Sequence, residues 1–253
     1  MKKILCAALA LFLALTSLAG CGKKGGEYVI YVDSYAPPFT DHTAGTNTYT
    51  GLAPDILAAI AADQGFTYTL GYAVSDAGMD AVQSGEADGA MMRLPITDEA
   101  KRDFDFSKSY FDDGQVMAVA VGSALAKPED LRGKLVACVI SDPAAEVPAT
   151  VWAEANAEKY GFTIQYYETP ALMYNAILSG SCDACFGQRS EMAWDIKRDG
   201  LGLQVVGDKL DPQSFGLAVK RGTNAKLLGM FNAGLADMKE NGKLAEILAK
   251  YGF

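Results

Sequence analysis

Twice in this chain a helix-like run stops at a glycine and leads, after two further residues, into an aspartate at the mouth of a strand-like run. The phrases are Ala81-Val82-Gln83-Ser84-Gly85-Glu86-Ala87-Asp88 and Ala176-Ile177-Leu178-Ser179-Gly180-Ser181-Cys182-Asp183. A glycine after the last helical turn accepts the left-handed backbone that closes a helix, so each phrase reads as helix end, stop and entering strand. The same local unit written twice predicts two similar lobes in series.

The flanking pattern agrees. Short β-branched or aromatic runs alternate with longer runs of helical period, the signature of an α/β protein with largely parallel sheets. In the first lobe the spacing predicts strands at 28–32, 67–72 and 87–92, with helices at 54–64 and 76–84 between them. Thr97, followed by Asp98 and Glu99, can cap a further short helix. In the second lobe it predicts strands at 116–121, 135–140, 163–168 and 182–187, with helices at 144–159 and 171–178. One more strand at 215–219 and helices at 225–239 and 243–250 close the chain. If these last elements return to the first lobe, the backbone crosses between lobes near 118–120 and 214–216. Lobe 1 is then 27–118 plus 216–253, and lobe 2 is 119–215. Two crossings make a hinge.

The first residues speak to compartment. Lys2 and Lys3 precede an uncharged apolar run from Ile4 to Leu18, too short for a comfortable membrane span and typical of an export signal. Its end, Leu18-Ala19-Gly20-Cys21, resembles the bacterial lipobox, in which the chain is cut before the cysteine and the thiol is acylated. The expectation is a signal peptide at 1–20, lipid on Cys21, and a flexible tether through Gly26. The rest of the chain exceeds the size one hydrophobic core usually serves.

The formal net charge is −9, and it becomes more negative once Lys2 and Lys3 are removed. Such a chain is repelled by nucleic acid and anionic lipid. Cys138, Cys182 and Cys185 remain after processing. Cys182 and Cys185 have the spacing of a zinc or redox half-site, but there is no second pair, and His42 is the only histidine. Placed on a strand, residues three apart point to opposite faces, which favours buried free thiols. Neither metal nor cofactor is expected.

Several phrases, in order along the whole mature chain, carry a resemblance. Tyr35-Ala36-Pro37-Pro38-Phe39 comes after the first strand, and Gly51-Leu52-Ala53-Pro54-Asp55-Ile56 opens the first helix. Ile96-Thr97-Asp98-Glu99 leads to Phe104-Asp105-Phe106-Ser107-Lys108-Ser109-Tyr110. Phe215-Gly216-Leu217-Ala218-Val219 and Lys250-Tyr251-Gly252-Phe253 come last. Together they resemble the extracellular solute-binding proteins of family 3, the binding components of ABC importers for polar amino acids. The resemblance implies a two-lobed, type II periplasmic-binding-protein fold of the Venus-flytrap kind, with a mostly parallel sheet in each lobe. It also implies a monomer, lipid-anchored outside the cytoplasm, that closes on a small polar solute and delivers it to an ABC permease rather than transforming it. Two other readings stay open: an enzyme like cyclohexadienyl dehydratase, which shares the fold, and a ligand sensor for a membrane receptor.

In open α/β sheets ligands sit beyond the carboxyl ends of the strands. By that rule Asp33, Tyr35 and Phe39 line the cleft after the first strand, and Tyr72 ends the second. The family's carboxylate-binding arginine falls at Ala100, and Pro95 stands where a small hydroxylated residue is usual. The family's Gly-Thr pair becomes Ser141-Asp142, and its ammonium-binding aspartate becomes Gln188. A charge-assisted hydrogen bond is worth about 1.5–3 kcal/mol, so these replacements remove much of the grip on a zwitterion in the family's usual pose. Arg93, at the end of the third strand, can meet a carboxylate from another direction or pair with an acid across the cleft. Arg189 reads as a solvated helix residue. The pattern points to a rewritten polar site of Arg93, Thr97, Ser141, Asp142 and Gln188, for a ligand other than a simple α-amino acid.

Overall fold

The computed structural model describes residues 27–42, 48–141 and 147–253, which form two α/β lobes, each on a five-stranded sheet. Lobe 1 begins with β1 (Glu27–Asp33) and the ribbon of β2 (Asp41–His42) and β3 (Tyr49–Thr50). It continues through α1 (Leu52–Gln64), β4 (Thr67–Ala73), α2 (Ser75–Ser84), β5 (Gly89–Met91) and β6 (Phe104–Phe106). Lobe 2 contains β7 (Phe111–Ala120), β8 (Leu135–Val139), α3 (Pro148–Tyr160), β9 (Thr163–Tyr167) and α4 (Pro170–Leu178). Then come β10 (Ala184–Gln188), α5 (Arg189–Asp199) and β11 (Leu203–Phe215). The chain returns to the first sheet as β12 (Ala218–Lys220) and ends in α6 (Ala225–Glu240) and α7 (Lys243–Lys250).

The sheet orders are β4-β1-β5-β12-β6 and β11-β7-β10-β8-β9. In each, three neighbouring strands run parallel, and antiparallel strands complete the sheet. Parallel strands need both faces covered, and the helices between them supply the cover.

The repeated phrase folds as a repeated device. Asp88 accepts a hydrogen bond from the Val29 amide at 2.9 Å, and Asp183 accepts one from the Leu135 amide at 3.0 Å. The Asp88 and Asp183 amides in turn donate to the carbonyls of Val29 and Leu135, each at 2.8 Å. Each aspartate thus ties the start of the third parallel strand of its lobe to the first. Gly85 caps α2 in the left-handed region at φ 84°, and Gly180 takes φ 74° two residues beyond the end of α4.

The lobe crossings lie elsewhere in part than the spacing predicts. β7 pairs with lobe 2 strands from Phe111 onward, so the first step between sheets comes after β6, within 107–110, and not at 118–120. The second comes between Phe215 and Ala218. Asp112, Asp113 and Gly114 look like a loop in sequence, yet long antiparallel pairing with β11 keeps them extended. The strand β11 has no clear signal in the sequence, because Gly207, Asp211 and Pro212 interrupt its pattern. The structure absorbs them as register shifts between Val206 and Leu210 and between Leu210 and Gln213.

The core of lobe 1 is α1 against α6. Leu52, Ile56, Leu57 and Ile60 meet Leu227, Phe231 and Leu235, all fully or almost fully buried. In lobe 2 the sheet divides the core, with Cys185 in the cluster around Met173 and Cys138 in the cluster around Ala149 on the other face. Cys138, Cys182 and Cys185 are buried free thiols, and burial pushes Cys138 up to about 12. Cys182 precedes β10 instead of lying on it, since the strand starts only at Ala184.

Candidate functional site: the cleft between the lobes

A cavity of about 480 Å³ opens where the carboxyl ends of the lobe 2 strands face lobe 1. Val139 at the end of β8 and Gln188 at the end of β10 reach it, with Met173 and Tyr174 of α4 and the first turn of α3 as walls. The strands that join the lobes supply Asp113, Gln115, Gln213 and Phe215. Arg93, just beyond β5, comes from lobe 1.

Strand geometry builds a polar floor. Asp113 and Gln115 are two apart on β7 and so share one face. Asp113 stands opposite Gln213 on β11, and Gln115 opposite Gln188 on β10, giving two cross-strand polar pairs side by side. The Asp113 carboxylate accepts from the Ser190 amide at 3.1 Å, in the first turn of α5, where amides lack partners within the helix. Gln115 Nε2 donates to Gln188 Oε1.

Three polar atoms are left over around this cavity. Arg93 Nε, Asp113 Oδ2 and Gln115 Oε1 are buried and have no hydrogen-bond partner. An orphaned buried polar group costs about 1–3 kcal/mol, which proteins rarely tolerate without a use for it. The residues that carry this one donor and two acceptors all line the same cavity.

Arg93 also spans the lobes. Its Nη1 lies 3.0 Å from Glu191 Oε1 on α5, while its backbone amide donates to Asp33 Oδ2 at 3.2 Å. Burial holds the Glu191 carboxyl above the usual carboxylate range, and the nearby guanidinium opposes that shift.

The sequence profile of bacterial extracellular solute-binding proteins, family 3, matches residues 28–253. The chain belongs to that family. The glutamine-binding protein GlnH of an ABC transporter in Bacillus subtilis is 26% identical, over 99% of this chain and 97% of its own. The second substrate-binding domain of Lactococcus lactis GlnP, solved in an open conformation, superposes with a TM-score of 0.80 at 30% identity, covering 90% of this chain and 96% of that one. An ancestral arginine-binding protein bound to arginine superposes with a TM-score of 0.56 at 26% identity, covering 90% and 98%. The fold is thus the type II solute-binding fold, and among the described residues no helix is long and apolar enough to cross a membrane.

In this family 3 protein the residues singled out from sequence are dispersed. Arg93 and Gln188 line the cavity. Asp33 ends β1, is buried, and holds the Arg93 amide. Tyr35 is 70% exposed beyond β1. Phe39 is a core residue, 1% exposed and edge-to-face with Phe111 and Phe215. Tyr72 stacks on Tyr49, and burial first, then Tyr49, pushes its hydroxyl up to about 12. Thr97 accepts from the Ala100 amide at 3.1 Å and so caps the 3-10 turn Ala100–Arg102. Ser141 Oγ accepts from the Val147 amide at 2.9 Å. Asp142 and Cys21 lie outside the described residues.

Arg189 is not a solvated helix residue. It opens α5 with its guanidinium over the rings of Phe111 and Phe253, at 5.7 and 5.1 Å from their centroids, because α5 packs its first turn against lobe 1. Sequence reasoning passes over Asp113, Gln115 and Gln213. The available signal is the alternation Asp113, Gln115, Met117, which extends the strand of Val116 backward by one polar face.

Proposed function

We propose that this protein is the substrate-binding lipoprotein of an ABC importer and captures an amino acid between its lobes by hinge closure. The observation that carries the reading is the cleft cavity itself, which Arg93 from lobe 1 lines together with the polar floor at the edge of lobe 2. A ligand carboxylate is the group that the Arg93 guanidinium would meet, so Arg93 does the work that Ala100 cannot, and an amino acid takes the place of the other ligand that the sequence pattern suggests. Gln188 contacts the same ligand from β10, and Tyr35 supplies an exposed aromatic wall at the rim. Asp33 acts through the Arg93 backbone, and Ser141 and Asp142 add polar groups from lobe 2.

Closure is a consequence of differential contact. A ligand touching both lobes stabilises the arrangement in which both sets of contacts are made, and a permease can read that arrangement as occupancy. The better superposition on an open domain than on an arginine-bound relative, at comparable identity, supports a resting state with the lobes apart. Lipid on Cys21 would keep the protein beside its permease. GlnH, an ABC transporter component over nearly its whole length, supports that partner.

Titration calorimetry of the purified protein with the twenty common L-amino acids tests the reading, paired with small-angle scattering on the complex. One or more tight ligands and a reduced radius of gyration are expected. No binding across the set, or product formation in place of reversible binding, would overturn it.

A further inference from the structure

Gln115 and Asp113 lie on the wall of the cavity that lobe 2 and the connecting strands form together. Both side chains belong to residues that are 1% exposed, so water does not meet their needs. Asp113 has one oxygen on the Ser190 amide and the other without a partner. Gln115 has its amino group on Gln188 and its carbonyl oxygen without a partner. Two residues apart on β7, the residues that carry the two empty acceptors share one strand face.

A carboxylate oxygen and an amide oxygen on one strand face, both shielded from water, suit a compact cation, and an ammonium group supplies one with several N–H donors. Arg93 makes no hydrogen bond to either oxygen; its Nη1 is held by Glu191, and its Nε stays unpartnered. A neutral donor would satisfy the oxygens but leave the carboxylate charge buried without a counter-charge, which is the costly outcome.

We propose that Asp113 and Gln115 form the seat for the primary ammonium group of the ligand, on the strand that joins the lobes. This rests on the amino-acid reading above and deepens it. The negative charge that Gln188 lacks is provided at its hydrogen-bonded neighbour's strand, so an α-amino acid is bound in a displaced pose: carboxylate toward Arg93 and ammonium toward β7. Because β7 follows directly on the 107–110 crossing and belongs to the lobe 2 sheet, the seat lies close to the hinge.

The test is calorimetry of wild type, Asp113→Asn and Gln115→Met with the twenty common L-amino acids and with the Nα-acetyl analogue of each one that binds. Asparagine keeps the shape and the acceptor for Ser190 while removing the charge. Asp113→Asn is expected to weaken the parent amino acid by about tenfold or more, as for the loss of a charge-assisted hydrogen bond, and to leave the acetylated analogue's affinity unchanged. Gln115→Met is expected to weaken the parent by about threefold and carries the test if Asp113→Asn does not fold. Parent affinity unchanged in both variants, or an equal loss for parent and acetylated forms, would overturn the ammonium seat while leaving amino-acid binding intact. Failure of every amino acid to bind wild type would overturn both.

Discussion

Arg93 and Glu191 meet across the cleft, with Nη1 of one 3.0 Å from Oε1 of the other, and both residues line the cavity. The pair is partly solvated, with side chains 35% and 52% exposed, so its own contribution to stability is about 0.2–1 kcal/mol. Under the binding mode proposed above its effect on binding should be larger, because Glu191 would compete with the ligand carboxylate for the guanidinium. Replacing Arg93 by alanine should weaken the bound amino acid by about tenfold or more, whereas Glu191→Gln should hold or tighten it. Calorimetry of the two variants checks this, and equal losses in both would refute the competition.

Glu191 and Asp183 should respond to pH with opposite signs. Desolvation raises the half-exposed Glu191 carboxyl above its unfolded value, so the folded state holds its proton more tightly, and stability falls as pH rises through the window from about 4.3 upward. Asp183 is lowered by the Leu135 amide, with Lys134 adding to it, so its stabilisation is present above about 3.9 and is lost as pH falls through the lower folded value. Urea unfolding between pH 2.5 and 7 should show the wild type losing ground to Glu191→Gln as pH rises. Against Asp183→Asn it should gain.

Helix α6 should tolerate alanine on one side only. A Cβ on Gly234 would sit 2.9 Å from Ile60 Cγ2 and 3.1 Å from Gln64 Cγ, so α6 approaches α1 too closely for a methyl group. Gly234→Ala should destabilise by about 1–3 kcal/mol despite better helix propensity. Gly229, exposed on the same helix with nothing within 4 Å of its Cβ position, should gain about 0.5–1 kcal/mol on the same change. Thermal melts of the two variants give the comparison.

Phe39 and Tyr35 divide core from cleft. Phe39→Ala should cost about 3–5 kcal/mol through the cavity left beside Phe111 and Phe215. Tyr35→Ala should leave the melting temperature unchanged, because that ring is mostly in solvent. If Tyr35 covers bound ligand on closure, its loss should appear only in the ligand dissociation rate.

The sequence by itself determined the architecture, because periodicity and helix stops are local properties. The repeat ending in Asp88 and Asp183 is legible as such, and its structural meaning, an amide tie to Val29 and to Leu135, obeys the same local rule in both lobes. It also singled out Arg93 and Gln188, which stand at strand ends where any α/β sheet presents its ligand groups. What only the tertiary structure decided is how strands far apart in sequence share a register. Asp113 becomes a cleft residue because β11, about a hundred residues on, pairs with it through Gln213, and Gln115 because β10 sets Gln188 opposite. No local pattern encodes such pairing. Phe39 shows the converse: a turn residue beside the cleft by sequence position, it is drawn into the core by Phe111 and Phe215, the two ends of the strands that link the lobes.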